Sequence, residues 1–501
     1  MTWLMLLACQ GSSEEAPPTE SEPALDSQDS DPVVDPRLGC SEERAGIGSD
    51  TCLSEAACVW TGERSREVFG VSLHIGPDVD GDGVQDMLLG SPGWYVFGDS
   101  TTNTGAGRVS LVSGASLTGD GGIEAMHEGS ELEEYLGSGA MIVGDVDGDG
   151  LADMLVGAMG RSPPGLEGAG AAHLILGQDG GWEDGLFTPA ETWLGPDPAG
   201  RAGWQVGGGD LDGDGLAELW VADGIRDAED AWDRGQVWLI PGGSVPTGDL
   251  EQVATGALVG AGSVDAMGQS IVVGDFDGDG LNDSAFGGPY GASYKGRVWL
   301  WPGGRHPEGL VAMAQHDHYV SGETNNDVFG WKLAAGDLDG DGDDELIVGA
   351  PLNDQADGAA GKVYVYEGGP GVWTAPELLA SFTGEFHDFQ LGTGLAAGDL
   401  DGDGKDELAI GSVDAWRGLV TRGGRAYVVP GQSSGWQLDQ PIVEAASSQL
   451  HGVSVKDYAG GSLSIGDLDG DGSSDLAVGS GYVNVDGLYD VGTVYLFFGG
   501  M

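Results

Sequence analysis

The stretch GDFDGDGLND (Gly274–Asp283) places four carboxylates and three glycines in ten residues. Read as D-x-D-G-D-G-x-x-[DE], it recurs with first residues Asp78, Asp145, Asp210, Asp275, Asp337, Asp399 and Asp467. The spacings are 67, 65, 65, 62, 62 and 68 residues, so this is an internal repeat and not an accident of composition. Around each loop the same order of short apolar runs returns. One run leads in (SIVVG before Asp275), and a second leaves it and ends in small residues (MLLGSP, LIVGAP, LAVGS). A third is rich in Val, Tyr and Trp (GRVWLWPGG, GKVYVYEGG), and a weaker fourth follows (LASFTGE). Runs of this length and composition between Gly and Asp turns predict strands, with no sustained 3.6-residue period to predict helices. Four strands per unit and seven units predict an all-β fold, a seven-bladed β-propeller of four-stranded blades. The last unit shows only three runs, and an orphan run CVWTGE (Cys58–Glu63) precedes the first. We expect that N-terminal strand to complete the last blade and close the ring, which would leave no long open edge.

The loop chemistry points to a hard dication. Asp at positions 1, 3 and 5 turns three carboxylates inward, Gly at 4 and 6 permits positive φ, position 7 offers a backbone carbonyl, and the acid at 9 closes the set. Expected ligands in the first three copies are Asp78, Asp80, Asp82, Val84 and Asp86; Asp145, Asp147, Asp149, Leu151 and Asp153; and Asp210, Asp212, Asp214, Leu216 and Glu218. The fourth and fifth use Asp275, Asp277, Asp279, Leu281 and Asp283, then Asp337, Asp339, Asp341, Asp343 and Glu345. The last two use Asp399, Asp401, Asp403, Lys405 and Glu407, then Asp467, Asp469, Asp471, Ser473 and Asp475. An all-oxygen set favours Ca²⁺, at up to seven sites, over zinc or copper, and Mg²⁺ suits it less because it demands a strict octahedron. The longer Glu at position 9 of copies three, five and six is expected to alter affinity, and Pro77 replaces the Gly that precedes the other loops.

Composition bounds the function. The 501 residues hold 19 basic and 82 acidic side chains, a formal charge of −63, so there is no basic footprint for nucleic acid. The start, MTWLMLLACQ, resembles the lipobox of bacterial lipoproteins, with Cys9 as the acylated residue, although no Lys or Arg precedes the apolar run. We therefore expect residues 1–9 to be a signal and lipobox segment and residues 10–39 a disordered acidic linker. Residues 40–57 read as a Cys-containing arm and 58–501 as the propeller. These expectations imply an extracytoplasmic protein, an outer-membrane or cell-surface lipoprotein that meets the membrane only through its anchor. With Cys9 lipidated, one disulfide is expected among Cys40, Cys52 and Cys58; unprocessed, the four Cys allow two bridges in three connectivities.

An apolar residue followed by Gly stands ahead of most loops: Phe69-Gly70, Leu136-Gly137, Met267-Gly268, Phe329-Gly330 and Leu391-Gly392. The order Phe-Gly, calcium-type loop, Gly-Ala-Pro resembles the FG-GAP repeats of the integrin alpha-subunit propeller and its bacterial relatives over about residues 58–501. Phe-Gly is reduced to Ala202-Gly203 and Ala459-Gly460 in units three and seven, and a full Gly-Ala-Pro occurs at Gly349–Pro351. The resemblance implies a calcium-stabilised, non-catalytic binding or adhesion module with a protein or glycan ligand. A hydrolase or lyase with a central-channel site and a structural envelope scaffold are the alternatives. Aromatics between the second and third strands, Trp94, Tyr95, Phe97, Trp232, Tyr290, Tyr294, Trp416, Tyr482 and Tyr489, are expected opposite the calcium loops, as ligand contacts or blade caps. The GQSSG stretch (Gly431–Gly435) matches a nucleophile-elbow pattern but lies at a strand end, and His316 and His318 read as one face of a surface strand.

Overall fold

The computed structural model describes residues 51–500 except 94–104, 119–121, 183–184, 225–233, 244, 263, 317, 373–375, 415–422, 454–455 and 486. Seven antiparallel sheets follow one another along the chain: blades 1 to 6 run over 72–128, 136–194, 202–259, 270–321, 333–383 and 391–451. Blade 7 takes Ser462–Gly466, Asp475–Ser480 and Thr493–Phe497, and its fourth strand is Cys58–Thr61 from the other end of the chain. That strand pairs antiparallel with the last one, Cys58 opposite Leu496 and Thr61 opposite Thr493. The expected closure is therefore the observed one. Helices are short turns, such as Leu250–Val253 and Ile442–Ala445.

Apolar side chains form seven clusters, and each lies between two neighbouring blades. Alternate residues of one strand serve opposite neighbours: Leu88 packs toward blade 2, while Met87 and Leu89 pack with blade 7. Both faces of every sheet are thus covered, which is why second strands such as Asp283–Gly288 are buried throughout and read as continuous apolar runs. The residue of each Phe-Gly-type pair enters the cluster shared with the preceding blade: Phe69 with Val494, and Phe329 with Val298. In unit three Ala202 enters a cluster that also holds the fully buried Trp193. The residue before each pair is left-handed, including the β-branched Val68 and Val328 at φ 51. Backbone hydrogen bonds hold them there, Val68 N–H to Asp490 O and Val328 N–H to Tyr294 O.

Among the described residues, three blades carry an extra parallel edge strand. Gly309–Ala312, which follows the third strand of blade 4, doubles back onto Gly256–Val259 of blade 3. Thr51–Cys52 lies along blade 6 and Gln440–Pro441 along blade 5. Cys58 is disulfide-bonded and Cys52 is a free thiol; Cys9 and Cys40 lie outside the described residues. The histidine expectation needs correcting: the strand is Tyr319–Ser321, and His316 sits before it, after the turn Met313–Gln315, stacked near Trp301. GQSSG leads into no helix, and Ser433 Oγ donates to the Asp339 carbonyl, so it packs on the blade 5 loop.

Candidate metal centres on one face of the propeller

Each acidic repeat is the turn between first and second strands, and all seven fold alike. Both glycines are left-handed in every copy, from Gly278 at φ 70 to Gly342 at φ 98. This lets the backbone curl around the first carboxylate. The N–H of the position 6 glycine donates to the position 1 Asp at 2.8–3.0 Å in all seven loops. The position 7 N–H donates to the position 5 Asp at 2.8–3.0 Å. Both oxygens of the position 1 carboxylate and one of the position 5 carboxylate are thereby held in place. Ligand atoms of Asp78, Asp80 and Asp86, of Asp145, Asp147 and Asp153, and of Asp275, Asp277 and Asp279 lie within 4.8 Å of one another in each set.

The position 9 acid does more than the sequence indicated. It is buried, and it clasps the loop to the end of the third strand. One oxygen accepts the position 2 N–H and the other accepts a glycine N–H beyond that strand; for Asp283 these are Phe276 at 3.0 Å and Gly303 at 2.6 Å. Where position 9 is Asp, the glycine bond is 2.6–3.1 Å. With Glu218, Glu345 and Glu407 it lengthens to 3.2–3.4 Å, so the longer side chain changes the clasp. Burial first, and then the neighbouring loop carboxylates, push these groups up: Asp86, Asp283 and Asp475 to about 7, Asp153 to about 6 and Glu345 to about 8. Carboxyls raised in this way lack a counter-charge, which a bound dication supplies. The donor set therefore fits a hard cation.

Individual loops differ. In blade 1, Glu124 lies against Asp80 and is raised to about 7 by burial and by Asp80, an additional acid invisible in the repeat. In blade 6 the Lys405 ammonium sits 2.5 Å from Asp403 Oδ2, so it competes for one of the expected ligands. After Pro77, Asp78 accepts Gly81 and Gly83 and, in addition, the Asp80 N–H at 3.1 Å.

Loops between second and third strands meet the Phe-Gly turns at the other end of the blades: Gly93 N–H donates to Glu67 O, and Gly160 N–H to Glu134 O. Beneath that end lies a belt of buried bases, each paired with an acid, that sequence reasoning missed; the Arg108–Glu67 pair is buried on both sides, while the acids facing Lys362 and Arg425 are partly exposed. Arg108 meets Glu67 at 2.7 Å, Lys362 meets Asp439 at 2.6 Å and Glu323 at 3.1 Å, and Arg425 meets Glu385 at 2.8 Å. The signal was present as a base directly after Gly at the start of third strands (GRV, GKV, GRA), in a chain where bases are scarce. Of the expected aromatics, Tyr290 and Tyr294 stack edge-on at 5.7 Å, and Tyr482 stacks on Tyr458 at 5.5 Å. Tyr489 is 67% exposed and Tyr294 40%. Trp94, Tyr95, Phe97, Trp232 and Trp416 lie outside the described residues.

The FG-GAP repeat family matches residues 69–112, 139–175, 267–301, 329–366, 391–429 and 459–497, which correspond to blades 1, 2 and 4 to 7. The chain is 34% identical to integrin alpha-PS2 of Drosophila melanogaster over 228 residues, 43% of this chain and 15% of that protein. It is 33% identical to human integrin alpha-IIb over 238 residues, 44% and 20% respectively. Rat phosphatidylinositol-glycan-specific phospholipase D is 30% identical over 175 residues, 33% and 20%. The matched stretch is thus a fifth or less of each relative's length. The Dos1 propeller aligns over 92% of this chain and 95% of its own, at 9% identity and a TM-score of 0.42. Six matched repeats and the seven-sheet ring make this chain an FG-GAP-repeat β-propeller, similar over part of its length to integrin alpha subunits.

Proposed function

We propose that the chain is an exported propeller whose seven loops bind calcium and whose opposite face engages a protein or glycan without catalysis. The buried position 9 carboxylate carries the cation reading. Each stands beside three further Asp, and among the loop residues only Lys405 is basic. Calcium, when bound, supplies the missing positive charge and ties the curl to the third strand through its oxygen ligands. The ligands are those expected from the repeat, with the position 7 carbonyl among them. Loops this open to solvent suit the weak range of about 10⁻⁴–10⁻³ M found in extracellular modules. Exposed Tyr294 and Tyr489 at the far end of the blades support a recognition surface there, since aromatics are enriched where proteins bind.

Calorimetric titration of the metal-stripped chain tests the first half, with several equivalents of calcium expected to bind and silence refuting it. A glycan and protein array probed with the loaded chain tests the second. Selective binding supports the module, turnover of an array component would transfer the reading to a hydrolase or lyase, and no binding would leave a scaffold.

A further inference from the structure

We propose that the blade 3 loop is a mixed carboxylate–imidazole site that takes a first-row transition dication such as Zn²⁺ or Co²⁺, held by Asp212, Glu218 and His306. This rests on the reading that the loops hold dications, and it assigns one of them a different ion class. Ligand atoms of the three residues lie within 4.8 Å of one another. Two ligands on one ion at about 2.0–2.1 Å stand at most about 4.2 Å apart, so small side-chain adjustments complete the set. The His306 Nε2 is shut off from water, lacks a hydrogen-bond partner and lies 3.5 Å from Asp212 Oδ2. A buried imidazole nitrogen facing two carboxylates with no hydrogen bond calls for an explanation, and a metal ligand is one that matches its chemistry.

Blade 4 delivers His306, and it does so rigidly. Gly304 N–H donates to the Leu211 carbonyl at 2.7 Å, which pins the turn onto the blade 3 loop. The Trp301 indole N–H donates to the Arg305 carbonyl at 2.7 Å, and Pro307 restricts the backbone of His306. Beyond it, Gly309–Ala312 pairs in parallel with blade 3. Elsewhere the residues beyond a third strand bring a carboxylate or a hydroxyl to the preceding loop. Asp179 stands over the blade 1 loop, where a Cβ on Gly81 would lie 2.9 Å from its Oδ1, and Ser433 caps the blade 5 loop. Imidazole suits zinc, cobalt and nickel, whereas calcium prefers oxygen alone.

The test is a Co²⁺ titration of the metal-stripped full chain in several-millimolar calcium, read by visible d–d absorption, with the His306→Ala protein alongside. We expect one equivalent of Co²⁺ with nitrogen-type bands, displaced by Zn²⁺, and at least tenfold weaker binding in His306→Ala with its calcium heats retained. Equal cobalt binding by both proteins overturns the assignment. No cobalt binding in either also overturns it, leaving His306 as an ion-pair partner of Asp212. If calcium gives no heat while His306-dependent cobalt binding persists, the calcium reading falls and this one stands.

Discussion

The loops of blades 3 and 4 are adjacent copies of one nine-residue turn, DLDGDGLAE and DFDGDGLND, and share the position 6 and position 7 hydrogen bonds, yet their surroundings diverge. Around the blade 4 loop, blade 5 supplies acids: Asp344 Oδ2 accepts the Asp275 N–H at 2.9 Å, and Asp343 stands over Gly278. Around the blade 3 loop, blade 4 supplies Asn282, whose amide donates to the Asp210 carbonyl, and His306. Blade 3 is also outside the six segments that the FG-GAP family matches. A repeat unit determines its own turn, but its successor determines the electrostatics around that turn.

Both loops need a closed ring, so the largest effect should come from deleting residues 1–63. This removes the fourth strand of blade 7 along with Trp60 and Cys58 from the cluster shared by blades 7 and 1. We expect loss of the cooperative melt and of near-ultraviolet circular dichroism; a truncated chain that melts as sharply as the intact one would refute closure by that strand.

Calcium removal should come next, and its pH dependence has a definite sign. Burial pushes Asp86, Asp153, Asp283, Glu345 and Asp475 up to about 6–8 and raises Glu218 and Glu407 as well, so between pH 4 and 7 the cation-free fold binds more protons than the unfolded chain. Stability of the chelated protein should therefore fall as pH rises through that window. Melting in excess chelator at pH 5.5 and 7.5 checks this: we expect the lower Tm at pH 7.5, and calcium to restore it. A chelated protein that is more stable at the higher pH contradicts the counter-charge account.

Asp283→Asn and Glu218→Gln then separate the two loops. The Asn variant should lose calcium affinity at blade 4 by about tenfold or more, as when groups supporting a metal are altered. Glu218→Gln should leave the calcium heats of the other loops intact and weaken cobalt binding at blade 3. Equal loss of calcium heat in both variants would erase the distinction between the loops.

The smallest effects concern the glycines. Position 6 is open in both loops, with nothing within 4 Å of a Cβ on Gly215 or Gly280, so Ala at either should cost a similar ~1–2 kcal/mol from left-handed strain alone. At position 4 the neighbours differ. A Cβ on Gly278 would meet Asp343 Oδ1 at 2.2 Å, while on Gly213 it would meet Leu281 Cδ2 at 2.8 Å. Gly278→Ala should therefore lower the Tm more than Gly213→Ala, and the reverse order would count against this account of the loop surroundings.

Much of this was legible in the chain. Seven acidic turns, four strands per unit and the orphan strand at Cys58 are local patterns, and their hydrogen bonds fall mostly within nine residues or one hairpin. The clasp by the position 9 acid was half legible: the acid was visible, but its glycine partner some twenty residues further on was not. Glu124 beside Asp80 escaped notice because it belongs to no repeated motif, and the ion pairs of Arg108, Lys362 and Arg425 because each joins a third strand to an acid about 40 residues earlier, beyond the acidic loop itself.

The sequence by itself determined the turn, its period and hence the number of blades, because glycine stereochemistry and the Asp–backbone hydrogen bonds act within one loop. Only the tertiary structure decided what faces each loop. Asp344 reaches the loop of the preceding blade through ring packing, as Asp406 does one blade on, whereas His306 reaches its loop beside a parallel edge strand; the repeat brings such segments together, and the residue standing there differs from blade to blade.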